Sequence, residues 1–432
     1  MAGRVQLATT GLQDAFFTKN PEYTYFIKNF KRHTNFSVYT IDHDVHGELE
    51  FGNMITCTIP NDTGDLIKTI SLDITLGAIQ STAGSTFLGY IESIGHAMID
   101  HVDLYIGDTL VQRIPSDWLQ IYSEHYITQT KQTNLSKLIG KYPNVNSSGY
   151  NVSDNGINNY LGASTKEFRC IIDIPFYFYN NRELAIPLCA LSKQDVKVDV
   201  KFRNVENCLF KSTSGTISLQ PPDRPTGLIN KCKLVTEMVC LEELERKKFQ
   251  NTRLEYIITQ IQQNINTIPS GSSTLRHKLI FSNPVKELYF VVQRKGTSVA
   301  PFDFDHTDQI FNLSRYINYE NVRSIELELD GDVLLDTVTG NVIHMRAVQS
   351  GIHHSRTQLF RRFYSYSFAL EPERWYPTGQ RNFNLIKESH ATFHLNEETV
   401  ERELRVYALS YNILRIHDGV GRILFPSGSI GN

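Results

Sequence analysis

At 432 residues the chain is longer than one hydrophobic core normally serves, so its length predicts two domains and excludes a single small one. Hydrophobic residues at 41%, aromatics at 11% and charged residues at 21%, with 21 Tyr and 24 Phe, describe a folded, strand-favouring protein and exclude disorder as its theme. A net charge of −3 gives no electrostatic footprint for sequence-independent DNA binding, which needs clustered Lys and Arg; no direct DNA binding is expected.

In chain order, residues 1–21 read as an N-terminal arm: Gln13-Asp-Ala-Phe-Phe17 precedes the first clear strand and carries aromatics that no strand pattern accounts for. Phe26 to Phe36 interleaves aromatics with Lys28, Lys31 and Arg32, as single-stranded nucleic-acid binders do. The preferred reading is a lead-in to the first domain, its aromatics in the core and its cations at an interface or in solvent. Asp42-His-Asp-Val-His46 has metal-ligand residue types, but Asp42, Asp44 and His46 alternate as the solvated face of a strand does. From Asp65 to Leu76 the alternation is clearest: Ile70, Leu72, Ile74 and Leu76 face one way, Thr69, Ser71, Asp73 and Thr75 the other. Val102 to Ile106, Val196 to Phe202 and Ile325 to Leu329 repeat the pattern with few amphipathic helices between them. Antiparallel sandwiches want one apolar and one polar face per strand, so the pattern predicts an all-β chain of two tandem sandwiches.

Tyr142 to Thr165 takes 13 of its 24 positions from Asn, Ser and Gly and reads as a long surface loop, within about 130–166 of the first domain. Residues 211–230, with Pro-Pro-Asp-Arg-Pro-Thr-Gly, are expected to link a first domain over 22–210 to a second over 231–426, followed by a tail at 427–432. Two similar domains also explain why Val102-Asp-Leu-Tyr-Ile-Gly-Asp resembles Ile325-Glu-Leu-Glu-Leu-Asp-Gly. Arg246-Lys-Lys248 reads as a solvated turn. Glu388 to His394 alternates Glu388, His390, Thr392 and His394 on one face and lacks the helical spacing of a His-Glu-x-x-His zinc site; no metal and no cofactor are expected.

Cys57, Cys170, Cys189, Cys208, Cys232 and Cys240 never approach within a Cys-x-x-Cys spacing and read as free thiols. The opening Met-Ala-Gly-Arg-Val-Gln-Leu lacks the apolar run of a signal peptide, and the expected compartment is a reducing cytosol. Six Asn-x-Ser/Thr sequons stand at Asn35, Asn61, Asn134, Asn146, Asn151 and Asn312; Asn146 and Asn151 lie in the predicted surface loop. Ser427-Gly-Ser-Ile-Gly431 lacks the first glycine of a nucleophile elbow, and Gly419-Val-Gly-Arg-Ile-Leu424 the third of a dinucleotide fingerprint, so no catalytic residue is assigned.

Gly11-Leu-Gln-Asp-Ala-Phe-Phe-Thr-Lys-Asn-Pro-Glu-Tyr-Thr-Tyr-Phe26, Lys31 to Phe36 and Glu50-Phe-Gly-Asn53 resemble the opening of major capsid proteins of nucleocytoplasmic large DNA viruses. So do Leu241 to Phe249, Asn283 to Leu288, Pro377 to Asn384 and Leu404 to Arg415, and the resemblance spans nearly the whole chain. Asn382-Phe-Asn384 carries Asn where many relatives have Ser. The resemblance implies two eight-stranded jelly rolls (a double jelly roll), no enzyme activity, and three chains forming a pseudo-hexagonal capsomer. Such capsomers tile an icosahedral shell assembled in the host cytoplasm, above minor capsid proteins and near an internal membrane. In that setting Gln13, Asp14, Phe16 and Phe17 would touch neighbouring capsid proteins, and Asn146 and Asn151 could carry sugars added by viral machinery. A minor or vertex jelly-roll capsid protein and, from another class, a carbohydrate-binding or carbohydrate-active sandwich are the alternatives.

Overall fold

A computed structural model describes residues 2–9, 11–28, 30–79, 86–91, 93–140, 145–146, 149–150, 167–213, 216–219, 227–295, 302, 321–355, 362–396 and 400–426. The chain divides into an N-terminal unit, Met1–Phe36, and a main unit, Ser37–Asn432. In the N-terminal unit, helices α1 (Ala2–Ala8) and α2 (Leu12–Thr18) are one to two turns each. The Gly11 N–H donates to the Asp14 carboxylate at 3.0 Å, using one of the amide donors that a helix start leaves unpaired.

Among the described residues, sixteen strands build the four larger facing sheets of the main unit, and shorter strands lie beside them. The first eight are β1 (Phe36–Asp44), β2 (Met54–Ile59), β3 (Leu66–Leu76), β4 (Ile99–Ile106), β5 (Thr109–Pro115), β6 (Phe168–Asp173), β7 (Val196–Phe202) and β8 (Ile229–Leu241). The second eight are β9 (Leu254–Ile268), β10 (Thr274–Lys278), β11 (Pro284–Arg294), β12 (Val322–Leu329), β13 (Asp332–Leu335), β14 (Phe363–Ser367), β15 (Ser389–Leu395) and β16 (Arg402–His417). In the first set the sheets run β1-β8-β3-β6 and β2-β7-β4-β5; in the second, β9-β16-β11-β14 and β10-β15-β12-β13. Lettered a to h along the chain, both sets give the same pair of sheets, a-h-c-f facing b-g-d-e, all antiparallel. This is the jelly-roll order, and it occurs twice.

The alternation read from the sequence places these strands correctly because period-two burial is what a sandwich imposes. Ile70, Leu72, Ile74 and Leu76 of β3 are fully buried, as are Val196, Val198, Val200 and Phe202 of β7. The matching segments at Val102 and Ile325 form the same edge hairpin in each b-g-d-e sheet, β4-β5 and β12-β13. Asp330-Gly331 turns the second hairpin with both φ values positive (52° and 89°), and Gly107 turns the first at +56°.

The expected link at 211–230 lies elsewhere in the topology. Strand β8, Ile229–Leu241, pairs along β3 from Ile229↔Leu76 to Val239↔Leu66, so it closes the first sandwich, and the expected link falls, in chain order, before that sandwich's last strand and not after it. Pro221, Pro222 and Pro225 lie outside the described residues, and such punctuation reads the same between two strands of one domain as between two domains. The chain passes to the second sandwich through α5 (Glu243–Asn251). Arg246 stands in that helix, where the sequence suggested a turn, and its guanidinium grips buried Asp65 at 2.7 and 2.9 Å. Two more helices, α3 (Ser116–His125) and α4 (Gln129–Ile139), follow β5. All six cysteines are free, and burial pushes the Cys57 thiol up to about 11 and the Cys208 thiol up to about 12. No described helix is long and apolar enough to cross a membrane.

Candidate assembly surfaces and the sandwich junction

Strand β11 is buried almost from end to end, because its sheet is covered on both faces. Val285, Leu288, Phe290 and Val292 point into the second sandwich's own core with Leu404, Val406 and Ala408 of β16. Tyr289 and Val291, with Tyr407 and Leu409 of β16 and Ile258 and Ile261 of β9, belong instead to the core that the first sandwich forms. One apolar cluster therefore runs through both domains.

Helix α3 carries the polar half of this junction. Nine of its ten residues are buried, including Asp117, Gln120 and Glu124, an unusual load of polar groups that must be satisfied in place. The Asp117 carboxylate accepts from the Tyr407 hydroxyl at 2.7 Å and lies 3.1 Å from Arg405 Nε, with side chains 4% and 14% exposed. Arg405 also donates to Gln293, and the Gln260 amide donates to the Val111 carbonyl at 2.7 Å. On the aromatic side, Trp118 meets Tyr289 edge-on at 5.2 Å, and the His125 ring lies 4.2 Å from His354 and 4.7 Å from Phe363. Burial and the Asp117 carboxylate hold the Tyr407 hydroxyl well above the usual phenol range, so it remains a donor.

Behind that ring contact sits a buried acid-base group. His354 Nε2 is 2.6 Å from Glu287 Oε1 and its Nδ1 is 3.5 Å from Glu373 Oε1. The Tyr289 hydroxyl donates to Glu287 Oε2 at 3.0 Å and the Tyr126 hydroxyl reaches Oε2 as well at 3.5 Å. Burial opposes a charge on His354, but the two carboxylates outweigh it and raise its pKa to about 9. Neighbouring Lys286 is pushed down to about 8 by burial, against the pull of the same carboxylates, and donates to the Pro372 carbonyl at 2.8 Å. A cleft of about 300 Å³ opens beside the junction, lined by Arg113, Arg203 and Arg405 together with Asp100 and Asp117. Arg113 is bidentate to Asp103 at 2.7 Å within the first sandwich, and Arg405 faces Asp117 across the junction, so these two cations already have carboxylates.

Lys286, Glu287, Arg405 and Tyr407 fall within the family blocks Asn283 to Leu288 and Leu404 to Arg415, but the sequence assigns none of the junction residues a role. Asp117 sits in Ser-Asp-Trp-Leu-Gln-Ile-Tyr-Ser-Glu-His, whose Trp118, Ile121 and Tyr122 mark one apolar stripe but give no sign that the polar residues between them are buried too, and the apolar run Leu288 to Val292 is the signal of a strand covered on both faces. The sequence-based candidates fall elsewhere. Gln13, Asp14, Phe16 and Phe17 lie on α2, with Phe16 90% and Phe17 88% exposed. The lead-in aromatics are not core: Tyr25, Phe26 and Phe30 are 86%, 96% and 83% exposed. Periodicity could not have said so, because exposed and buried aromatics read alike where no strand pattern frames them.

Asn151 and the expected tail at 427–432 lie outside the described residues, as does most of 142–165; Asn146 is described only by its backbone pairing with Gly149. Asn35 and Asn134 are exposed, whereas the Asn61 amide nitrogen is committed to the carbonyls of Leu191 (3.1 Å) and Gln194 (3.2 Å). Asp42 and Asp44 lie 3.7 and 3.9 Å from Lys233 Nζ, and His394 pairs with Glu326 at 2.9 Å. Among the described residues no three His, Cys, Asp or Glu side chains converge as a metal-ligand set.

Residues 24–228 match the family described as "Major capsid protein N-terminus", and residues 245–422 match "Large eukaryotic DNA virus major capsid protein". The major capsid protein of Pyramimonas orientalis virus is 28% identical over 98% of this chain and 99% of its own length. Among solved structures, the PBCV-1 virus capsid has a TM-score of 0.72 at 21% identity, covering 94% of this chain and 100% of that one. The Faustovirus major capsid protein has a TM-score of 0.71 at 11% identity, covering 96% of each chain. At those identities the structural likeness speaks for the fold, and the sequence matches carry the family. The matched families are shell proteins and not enzymes, which makes this chain a capsid component of the virion. The chain belongs to the double jelly-roll major capsid protein family of the large eukaryotic DNA viruses.

Proposed function

We propose that three copies of the chain form a pseudo-hexagonal capsomer and that capsomers tile an icosahedral shell, assembled in the host cytoplasm. The observation that carries this reading is the repeated a-h-c-f and b-g-d-e topology in one chain, locked by a buried junction. Two similar lobes held as one body supply six lobes when three chains close a ring, and a ring with six lobes packs in a near-hexagonal lattice. Contacts to neighbouring capsomers and to minor capsid proteins beneath the shell belong to the arm, with Gln13, Asp14, Phe16 and Phe17 at the contact. Exposed Phe16 and Phe17 support this, since aromatics so open to water want a partner. The domain limits that fit this reading are a first jelly roll ending at Leu241 and a second beginning at Leu254. Asn146 and Asn151 are the proposed sugar-bearing positions, and the shell lies close to an internal membrane without gripping DNA.

Light scattering coupled to size-exclusion chromatography tests the capsomer. The expected mass is 148.2 kDa, three times the 49.4 kDa chain, unchanged by a chelator. A stable monomer would overturn the trimer.

A further inference from the structure

The lead-in Tyr23–Phe36 has a chemistry that shell packing leaves unused. Its 14 residues include Lys28, Lys31 and Arg32 and no Asp or Glu. Tyr23, Tyr25, Phe26, Ile27, Phe30 and Phe36 are 53% to 96% exposed. Residues 1–36 carry five cations and two acids, net +3, which leaves −6 for the rest of a chain whose total is −3. The positive charge and the bare aromatics are thus concentrated in one segment of an otherwise acidic protein.

We infer that Tyr23–Phe36 docks on an anionic lipid surface. Cations are drawn to acidic headgroups, while Tyr and Phe rings settle at the boundary between headgroup and acyl chain. A protein groove would ask for large residues on one face, at a period of two or near four. Here Tyr25, Phe26 and Ile27 are consecutive and Phe30 follows in backbone without regular structure, so they share no face. A lipid interface accepts side chains at any azimuth, because the backbone lies among hydrated headgroups. Duplex DNA would engage the cations alone and leave the rings in water. With no described helix able to span a bilayer, the association is interfacial. The rest of the chain, at net −6, gains no net attraction from an anionic surface, so the contact is assigned to the lead-in. The inference does not depend on the trimer.

Flotation of the full-length protein with vesicles tests it, using phosphatidylcholine alone or with roughly one phosphatidylserine in three. The chain is expected to float with the mixed vesicles and not with the neutral ones. Lys28→Gln/Lys31→Gln/Arg32→Gln should lose affinity by about a hundredfold, and Phe26→Ser/Phe30→Ser by about tenfold or more, with unchanged thermal unfolding. Absence of flotation, equal flotation with both vesicles, or equal flotation of all three proteins would overturn the inference. Vesicle-independent binding to a single-stranded oligonucleotide or to an immobilised second copy, lost in the same variants, would assign the segment to nucleic acid or protein instead.

Discussion

Asp117, Arg405 and Tyr407 meet where two sandwiches share a surface, and their worth depends on all three being present. Removing Arg405 leaves the Asp117 carboxylate buried with one remaining donor, the Tyr407 hydroxyl. Arg405→Ala should therefore destabilise the fold by about 3 kcal/mol in denaturant titration. The double variant Asp117→Asn/Arg405→Met, which removes both charges, should lose distinctly less; equal losses would mean that volume and not charge matters. His354 gives the junction a pH dependence with a definite sign. Its folded pKa, about 9, lies above the ordinary 6.5, so its contribution is complete below pH 6.5 and lost as pH rises towards 9. Lys286 has the opposite sign: its folded pKa, about 8, lies below 10.5, so stability lost through His354 is partly offset above pH 8. The clean window is pH 6.5 to 8, where the loss should be about 2 kcal/mol. Urea titrations at both ends check it, and His354→Gln should flatten the profile.

At the scale of elements, the strands that the sequence disclosed are those with one wet face. β3, β7, β4 and β12 alternate because one sheet face meets solvent or polar neighbours, and alternation is the signal that survives in a single sequence. β11 and α3 were opaque for the converse reason. β11 has one face in the second sandwich's core and the other in the junction, and nine of the ten residues of α3 are buried, so little contrast between a wet and a dry face remains to be read. The arm is a third kind of element, neither strand nor core. Since α1 and α2 bury no described side chain, deleting residues 1–21 should leave a folded protein of unchanged thermal midpoint. The same deletion should prevent assembly into extended lattices, followed by electron microscopy; a deletion variant that tiles normally would remove the arm from the assembly contacts.

For the whole molecule, the shared core makes a further demand. If Tyr289, Val291, Tyr407 and Leu409 belong as much to the first sandwich as to the second, neither domain can unfold without exposing the other's apolar surface. Calorimetry should then show one transition for both sandwiches, and Trp118→Ala, which empties the edge-on contact with Tyr289, should split it into two. Two separate transitions in the unaltered protein would mean that the junction is too weak to couple the domains. Length, strand alternation, the repeated hairpin and the family motifs were all legible in the sequence, because each is a local pattern or a likeness that survives one dimension. Where the first sandwich ends, which carboxylates are buried, and which aromatics are bare were decided only in three dimensions. Strand β8 must return across the sheet to lie between β1 and β3, an instruction carried by pairing with residues about 160 positions earlier and by no local signal. Asp117 likewise becomes a junction residue only because β16, nearly 290 positions later, brings Tyr407 and Arg405 to it.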